Sequence, residues 1–136
     1  MSLSNTSRSV MSEISIGASA SVEITVRQSQ TALFLGSGEL EVYATPALVA
    51  LMEEAACNAV KPFLDSNQTT VGTQINISHD QASPVGATIT AHATVVALDR
   101  RRIDFDVVAK QGEVIISKGI HSRFIVDRQK FMDKLK

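Results

Sequence analysis

The segment from Thr45 to Pro62 constrains the fold more than any other stretch, because its composition predicts one long and mostly apolar helix. Proline costs no hydrogen bond at a first helical position, so Pro46 suits the start, and Thr45 before it is the predicted N-cap. Pro62 marks the predicted end, since the residue before a proline is disfavoured in helical geometry. The rest of the chain must therefore cover an apolar helix.

Glu53 is the carboxylate on the apolar side of this predicted helix. Glu54, Asn58 and Lys61 recur at helical spacing and form a polar stripe, whereas the helical neighbours of Glu53 are apolar. Burying an unpaired charge is costly, so a carboxylate here needs a reason. Two readings stay open: a hydrogen bond across a subunit interface, or a general base in an active site.

Segments with the alternation of β-strands flank the helix on both sides. They are Ser21–Val26 before it and Thr69–His79, Thr88–Leu98, Arg102–Lys110 and Val114–Val126 after it. One long helix followed by meandering strands predicts the α+β class, with a curved antiparallel sheet wrapped around a central helix. The serine-rich residues 1–20 are predicted to form a flexible arm, and residues 21–136 a single domain.

The charge and composition of the chain restrict the kinds of partner that we expect it to bind. The net charge of −1 gives no sign of a nucleic-acid or membrane-binding surface. The longest apolar run, Ala47–Met52, is too short to span a bilayer. The single cysteine, Cys57, excludes an internal disulfide and fits a cytoplasmic protein, and the opening residues lack a secretory pattern. The sheet would leave an edge strand for a second copy to cover, so a homodimer is expected.

The histidines differ in their predicted positions. Alternation places His79 in the row of Val71, Thr73, Ile75 and Ile77, facing the helix, where it could share a proton with Glu53. A histidine at a strand end is, however, more often structural. His92 and His121 fall on the wetter faces of their strands, which argues against a three-histidine metal site.

Thr45 is the third candidate for a chemical role. Free N–H groups at a helix N-terminus favour a developing negative charge, although a plain N-cap would explain a threonine there equally well. Thr45 and Glu53 are eight residues apart, about 12 Å along a helix axis. They can therefore line opposite ends of one pocket without touching each other.

Several short motifs together resemble a known family. They are Tyr43-Ala44-Thr45, Leu51-Met52-Glu53, Pro62-Phe63-Leu64, Val71-Gly72-Thr73, Ile77-Ser78-His79, Arg101-Arg102 and Gly119-Ile120-His121-Ser122-Arg123. Their order and spacing, from about Ser21 to Phe131, are similar to those of the fluoroacetyl-coenzyme A thioesterases of the hot-dog fold. The resemblance implies Thr45, Glu53 and His79 as catalytic residues, Gly72 and Arg123 as substrate-binding residues, and no metal or other cofactor.

The activity implied is hydrolysis of an acyl-CoA thioester to a free acid and coenzyme A. Glu53 would activate water or attack the carbonyl itself, Thr45 would steady the oxyanion, and His79 would orient Glu53 or protonate the leaving thiolate. A non-catalytic acyl-CoA-binding module and a hot-dog hydratase or dehydratase are the alternatives. The segment Gly36–Glu39 stands where the fluoroacetate enzymes carry aromatic cover, so weak preference for a fluorinated acyl group is expected.

Overall fold

The structure is a computed structural model that describes residues 14–136. Strand β1 (Ser19–Thr25) leads through a 3-10 turn (Gln28–Gln30) and helix α1 (Ala32–Leu35) to the long helix α2 (Thr45–Val60). After a second 3-10 turn (Lys61–Phe63) come β2 (Gln68–His79), β3 (Thr88–Asp99), β4 (Arg102–Gln111), β5 (Val114–Asp127) and helix α3 (Arg128–Asp133). The α+β class is confirmed, and the strands begin and end within about two residues of their predicted bounds.

The five strands form one antiparallel sheet in the order β1-β3-β4-β5-β2, with β1 and β2 at its edges. Helix α2 lies against one face of the sheet, here called the inner face, and contacts mainly β1, β3 and β4. Its side chains Leu48, Met52 and Ala55 are fully buried in this core. Phe105, near the middle of β4, is equally buried. The β2 side of the helix is less covered.

Helix α2 begins one residue earlier than predicted. Ala44 is extended (φ −76°, ψ 140°) and is the N-cap, while Leu48 N–H donates to the Ala44 carbonyl at 3.0 Å. Thr45 is therefore the first helical residue, and its prediction as N-cap is wrong. The physical reason is that the Thr45 hydroxyl is engaged elsewhere, by His79. The helix ends at Val60, two residues before Pro62 as its sequence indicates.

Strand β2 contains a bulge that the alternation of its sequence does not reveal. Gly72 pairs with Arg123 and Gln74 with Ser122, which leaves Thr73 as an extra residue. The bulge reverses the alternation of side chains. Before it, the even-numbered Thr70 and Gly72 face inward; after it, the odd-numbered Ile75, Ile77 and His79 do. Hence Thr70 is buried and Thr73 is exposed. The prediction of Val71 and Thr73 in the inner row is wrong; that of His79 is right.

Strand β5 turns its polar residues inward. His121 is 2% exposed and Arg123 is 6% exposed, whereas Ile120 and Phe124 are half exposed on the outer face. The prediction of His121 on a wet face is therefore wrong. Register explains the difference: His121 pairs with the buried Phe105, and the strongly alternating β4 fixes which face of β5 points inward.

The amino-terminal arm predicted over residues 1–20 falls partly outside the described residues, which begin at Ile14. Ile14 is buried in the core, and the main-chain N–H of Gly17 donates to the carbonyl of Val95 at 2.8 Å. Strand β1 starts at Ser19, so its first two residues lie within the predicted arm. No helix within residues 14–136 is long and apolar enough to cross a membrane.

Candidate active site

The first cluster of functional groups joins the start of α2 to the end of β2. Thr45 Oγ1 lies 2.7 Å from His79 Nδ1. His79 Nε2 is buried and has no hydrogen-bond partner among the residues described. Burial lowers the pKa of His79, and nearby Asp80 only partly opposes this effect. Near neutral pH the ring is therefore uncharged and can accept a hydrogen bond from the Thr45 hydroxyl.

Tyr43 fixes the chain just before Thr45. Its side chain is 2% exposed, its hydroxyl donates to the Ala47 carbonyl at 3.3 Å, and its N–H donates to the Ser83 carbonyl at 2.8 Å. Burial raises the pKa of Tyr43 to about 12, so it stays a neutral donor. These bonds hold the first turn of α2, and with it the Thr45 hydroxyl, in place.

The second cluster surrounds Glu53 on the less covered side of α2. Glu53 Oε2 accepts a hydrogen bond from Arg123 Nη1 at 2.9 Å and lies 3.8 Å from His121 Nε2. The side chain of Glu53 is 38% exposed and that of Arg123 only 8%. Glu53 is thus half buried and paired, rather than an isolated buried charge. Its partner is 70 residues away in sequence, which is why spacing could not reveal the pair.

Arg123 is itself tightly held. Its Nε donates to Thr70 Oγ1 at 2.8 Å and its Nη2 donates to the Thr70 carbonyl at 3.0 Å. Both bonds are buried, and a guanidinium with several fixed partners is a rigid donor. The residue expected to bind substrate therefore contacts the Glu53 carboxylate directly.

Gly72 completes this cluster by leaving space. A Cβ atom at position 72 would overlap Glu53 Oε2 and would lie 3.2 Å from Arg123 Nη1. The lack of a side chain therefore lets the carboxylate lie against the backbone of β2. A cavity of about 250 Å³ opens here, lined by Glu53, Gly72, Thr73, Gln74, Ile75 and His121. A larger groove, of about 830 Å³, contains His92 and Ile120 of the outer face and none of the predicted site residues.

The structure does not bring all predicted catalytic residues into one contact group. Thr45 and Glu53 are separated by about 12 Å along α2. His79 and Gly72 lie about 20 Å apart along β2, from the strand rise. One chain thus carries two half-sites: the Thr45–His79 pair, and the group of Glu53, Gly72 and Arg123.

A family model described as the fluoroacetyl-CoA-specific thioesterase, FlK, matches residues 26–129, most of the chain. The chain belongs to this family. The fluoroacetyl-CoA thioesterase of Streptantibioticus cattleyicolor is 35% identical over 96 residues, which cover 71% of this chain and 69% of the relative. The family resemblance of the motifs is confirmed, and with it the expectation of a thioesterase.

Solved structures agree with the family assignment. A structure of the fluoroacetyl-CoA thioesterase FlK is 30% identical, with a TM-score of 0.83 over 89% of this chain and 94% of that one. A hypothetical Thermus thermophilus protein of the thioesterase superfamily has a TM-score of 0.85 at 24% identity, over 92% of this chain and 93% of that one, and shows the shared fold alone. The predicted hot-dog fold is confirmed.

Proposed function

We propose that this protein hydrolyses an acyl-CoA thioester to a free acid and coenzyme A, with Glu53 as general base or nucleophile. The observation that carries the proposal is the state of the Glu53 carboxylate. Arg123 holds one oxygen, Oε2, at 2.9 Å, while the half-exposed side chain borders a cavity. A carboxylate that is held through one oxygen and borders an open cavity can take a proton from water.

In the general-base form of the reaction, water adds to the thioester carbonyl carbon as Glu53 takes one of its protons. The carbonyl oxygen becomes an oxyanion, which Thr45 and the N–H groups of the first turn of α2 would stabilise. The intermediate then collapses, the C–S bond breaks, and the leaving thiolate of coenzyme A takes up the proton that Glu53 had accepted, which restores the carboxylate. Because His79 is neutral, it serves better as the hydrogen-bond partner of Thr45 than as the acid.

The protein acts as a homodimer in this proposal, because one chain holds its two half-sites far apart. Strand β2 is an edge strand, and its Gly72 and His79 flank Ile75 and Asn76. Because Thr73 lies outside the ladder, a second copy paired antiparallel along β2, with a two-fold axis at Asn76, would bring His79 of one chain opposite Gly72 of the other. A monomeric mass at micromolar concentration, with activity retained, would contradict this arrangement.

We place the enzyme in the cytoplasm as part of the same proposal.

The acyl group is proposed to be other than fluoroacetyl. Gly36 ends α1 in the left-handed conformation (φ 78°), and Phe34 of that helix is 65% exposed. This segment offers little bulk at positions 36–39 for enclosing a small acyl chain. Discrimination between close analogues needs fitted contacts, since small changes in an apolar pocket are worth only about 1–3 kcal/mol.

Release of free thiol from a panel of acyl-CoA esters tests the proposed function. Hydrolysis of at least one ester is expected, whereas a binding module or a hydratase would release no thiol. The panel includes acetyl-CoA and fluoroacetyl-CoA, and we expect the ratio of their kcat/KM values to be far below about 1000. A larger ratio in favour of the fluorinated ester would overturn the open-pocket interpretation, and no thiol release from any ester would overturn the activity.

A further inference from the structure

His121 is a buried histidine that the proposed reaction does not use. It lies on the inner face of β5, and its ring stacks on Phe105 with centroids 5.9 Å apart and planes 26° apart. The side chain is only 1% exposed, yet Nε2 lies 3.8 Å from Glu53 Oε2. A titratable ring therefore lies directly beside the candidate base.

The partners of His121 determine which nitrogen carries the proton. Nδ1 lies 2.7 Å from the carbonyl oxygen of Gln74, and a carbonyl can only accept, so Nδ1 carries hydrogen. In the neutral ring Nε2 then holds a lone pair. Nε2 lies 3.2 Å from Arg123 Nη1, which can only donate. The neutral Nδ1–H tautomer satisfies both contacts at once.

Arg123 Nη1 has two hydrogens and two acceptors. One acceptor is Glu53 Oε2 at 2.9 Å, and the other is His121 Nε2 at 3.2 Å. Without the ring, one buried N–H would lack a partner, and the guanidinium could shift toward the carboxylate. The imidazole therefore restricts the positions from which Arg123 Nη1 can donate a hydrogen bond to Glu53 Oε2.

We propose that His121 is a positioning residue for thioester hydrolysis: as the neutral Nδ1–H tautomer, it accepts a hydrogen bond from Arg123 and thereby fixes the Glu53 carboxylate. The proposal rests on the role of Glu53 in the proposed function. His121 does not touch the reacting atoms and acts only through Arg123.

Protonation of His121 would disrupt this arrangement. The charged groups that face the ring are Glu53 from α2 and Arg123 from its own strand. A proton on Nε2 removes the acceptor, places two cations 3.2 Å apart and lets the ring compete with Arg123 for Glu53. Burial is the main cause that lowers the pKa of His121; the hydrogen bond to Gln74 raises it by less, Arg123 lowers it further, and Glu53 has the smallest, raising effect. The neutral form thus persists at physiological pH.

Two substitutions at position 121 separate the roles of its nitrogens. In His121→Gln an amide oxygen can replace Nε2 as the acceptor for Arg123, and we expect kcat to stay within about threefold. In His121→Asn the shorter side chain can still donate to Gln74 but leaves Arg123 without its acceptor. For this variant we expect kcat to fall about 10-fold to 100-fold with little change in KM.

His92→Asn is the matched control, because His92 lies on the outer face, where its Nδ1 contacts Ser21 Oγ at 2.5 Å. It should leave kcat unchanged. Equal losses in the two position-121 variants, or full activity in His121→Asn, would overturn the proposal. If instead Glu53→Gln retains activity, the role of Glu53 in the proposed function is wrong, and the two failures are thus distinguishable.

Nitrogen-15 NMR of the histidine rings provides a test that does not depend on activity or on the folding of a variant. We expect His121 in the unmodified protein at pH 7.5 to show a protonated Nδ1 and an unprotonated Nε2. An Nε2–H tautomer, or a charged ring at this pH, would overturn the proposal.

Discussion

The two half-sites differ in how the fold holds them. The Thr45–His79 pair rests on one hydrogen bond between two uncharged groups, with Tyr43 anchoring the chain nearby. The Glu53 half-site is held by a charged pair, Glu53 with Arg123, and the guanidinium is fixed by two further bonds to Thr70. The first arrangement is a single neutral hydrogen bond, whereas the second holds a carboxylate in a defined place through a charged partner. The difference supports the proposed roles, hydrogen bonding for the Thr45–His79 pair and base or nucleophile chemistry for Glu53.

The largest expected effect comes from removing the charge of the second half-site. Glu53→Gln should lower thioester hydrolysis at least about 100-fold, the scale of general acid–base loss, and should leave the fold intact because Gln can still accept from Arg123. The measurement is steady-state thiol release together with a melting curve. Glu54→Gln is the control and should change little, since Glu54 is exposed on the neighbouring helical position. A near-normal rate in a folded Glu53→Gln protein would remove Glu53 from the mechanism.

Mixing variants of the two half-sites tests whether one active site takes its residues from both chains. Glu53→Gln and His79→Ala proteins should each be nearly inactive alone. If each site takes Glu53 from one chain and His79 from the other, a mixed dimer contains one intact site, and equal mixing after refolding together should restore about one quarter of the activity. If both residues act from the same chain, no activity should return. The assay is thiol release before and after subunit exchange.

The smallest effect concerns acid stability. Burial lowers the pKa of both His79 and His121 below the usual value of 6.5, so the unfolded chain binds more protons than the folded chain in mildly acidic solution. The free energy of unfolding should therefore decrease as the pH falls below about 6.5, by at most about 1.4 kcal/mol per pH unit for each histidine.

Urea unfolding at pH 7.5 and pH 5.5 measures this dependence for each half-site. His121→Gln should reduce it more than His79→Gln does, because the ring of His121 is the more deeply buried of the two. His92→Gln should not change it. An equal pH dependence in all three variants would show that neither buried ring is responsible.

Sequence patterns were enough to predict the long helix, the strands and part of the candidate site. The apolar helix, the alternating strands and the inward direction of His79 follow from periodicity, which depends only on local spacing. The Glu53–Arg123 pair and the inward direction of His121 depend instead on strand register. In β5 the outward residues Ile120 and Phe124 are more apolar than the inward His121 and Arg123, so hydrophobicity alone selects the wrong face. Inward polar residues are tolerated there because each has a hydrogen-bond partner.

Because of the extra residue in β2, the inward side chains have even numbers before it and odd numbers after it. Thr73 is looped out of the ladder, so the residues on either side of it keep matching positions opposite β5. Removing Thr73 would join Gly72 to Gln74 as consecutive rungs and leave every inward side chain where it is. Removing Asn76 instead would shift the frame and send His79 to the opposite face, away from Thr45. In this strand, the position of a one-residue deletion therefore matters more than which amino acid is lost.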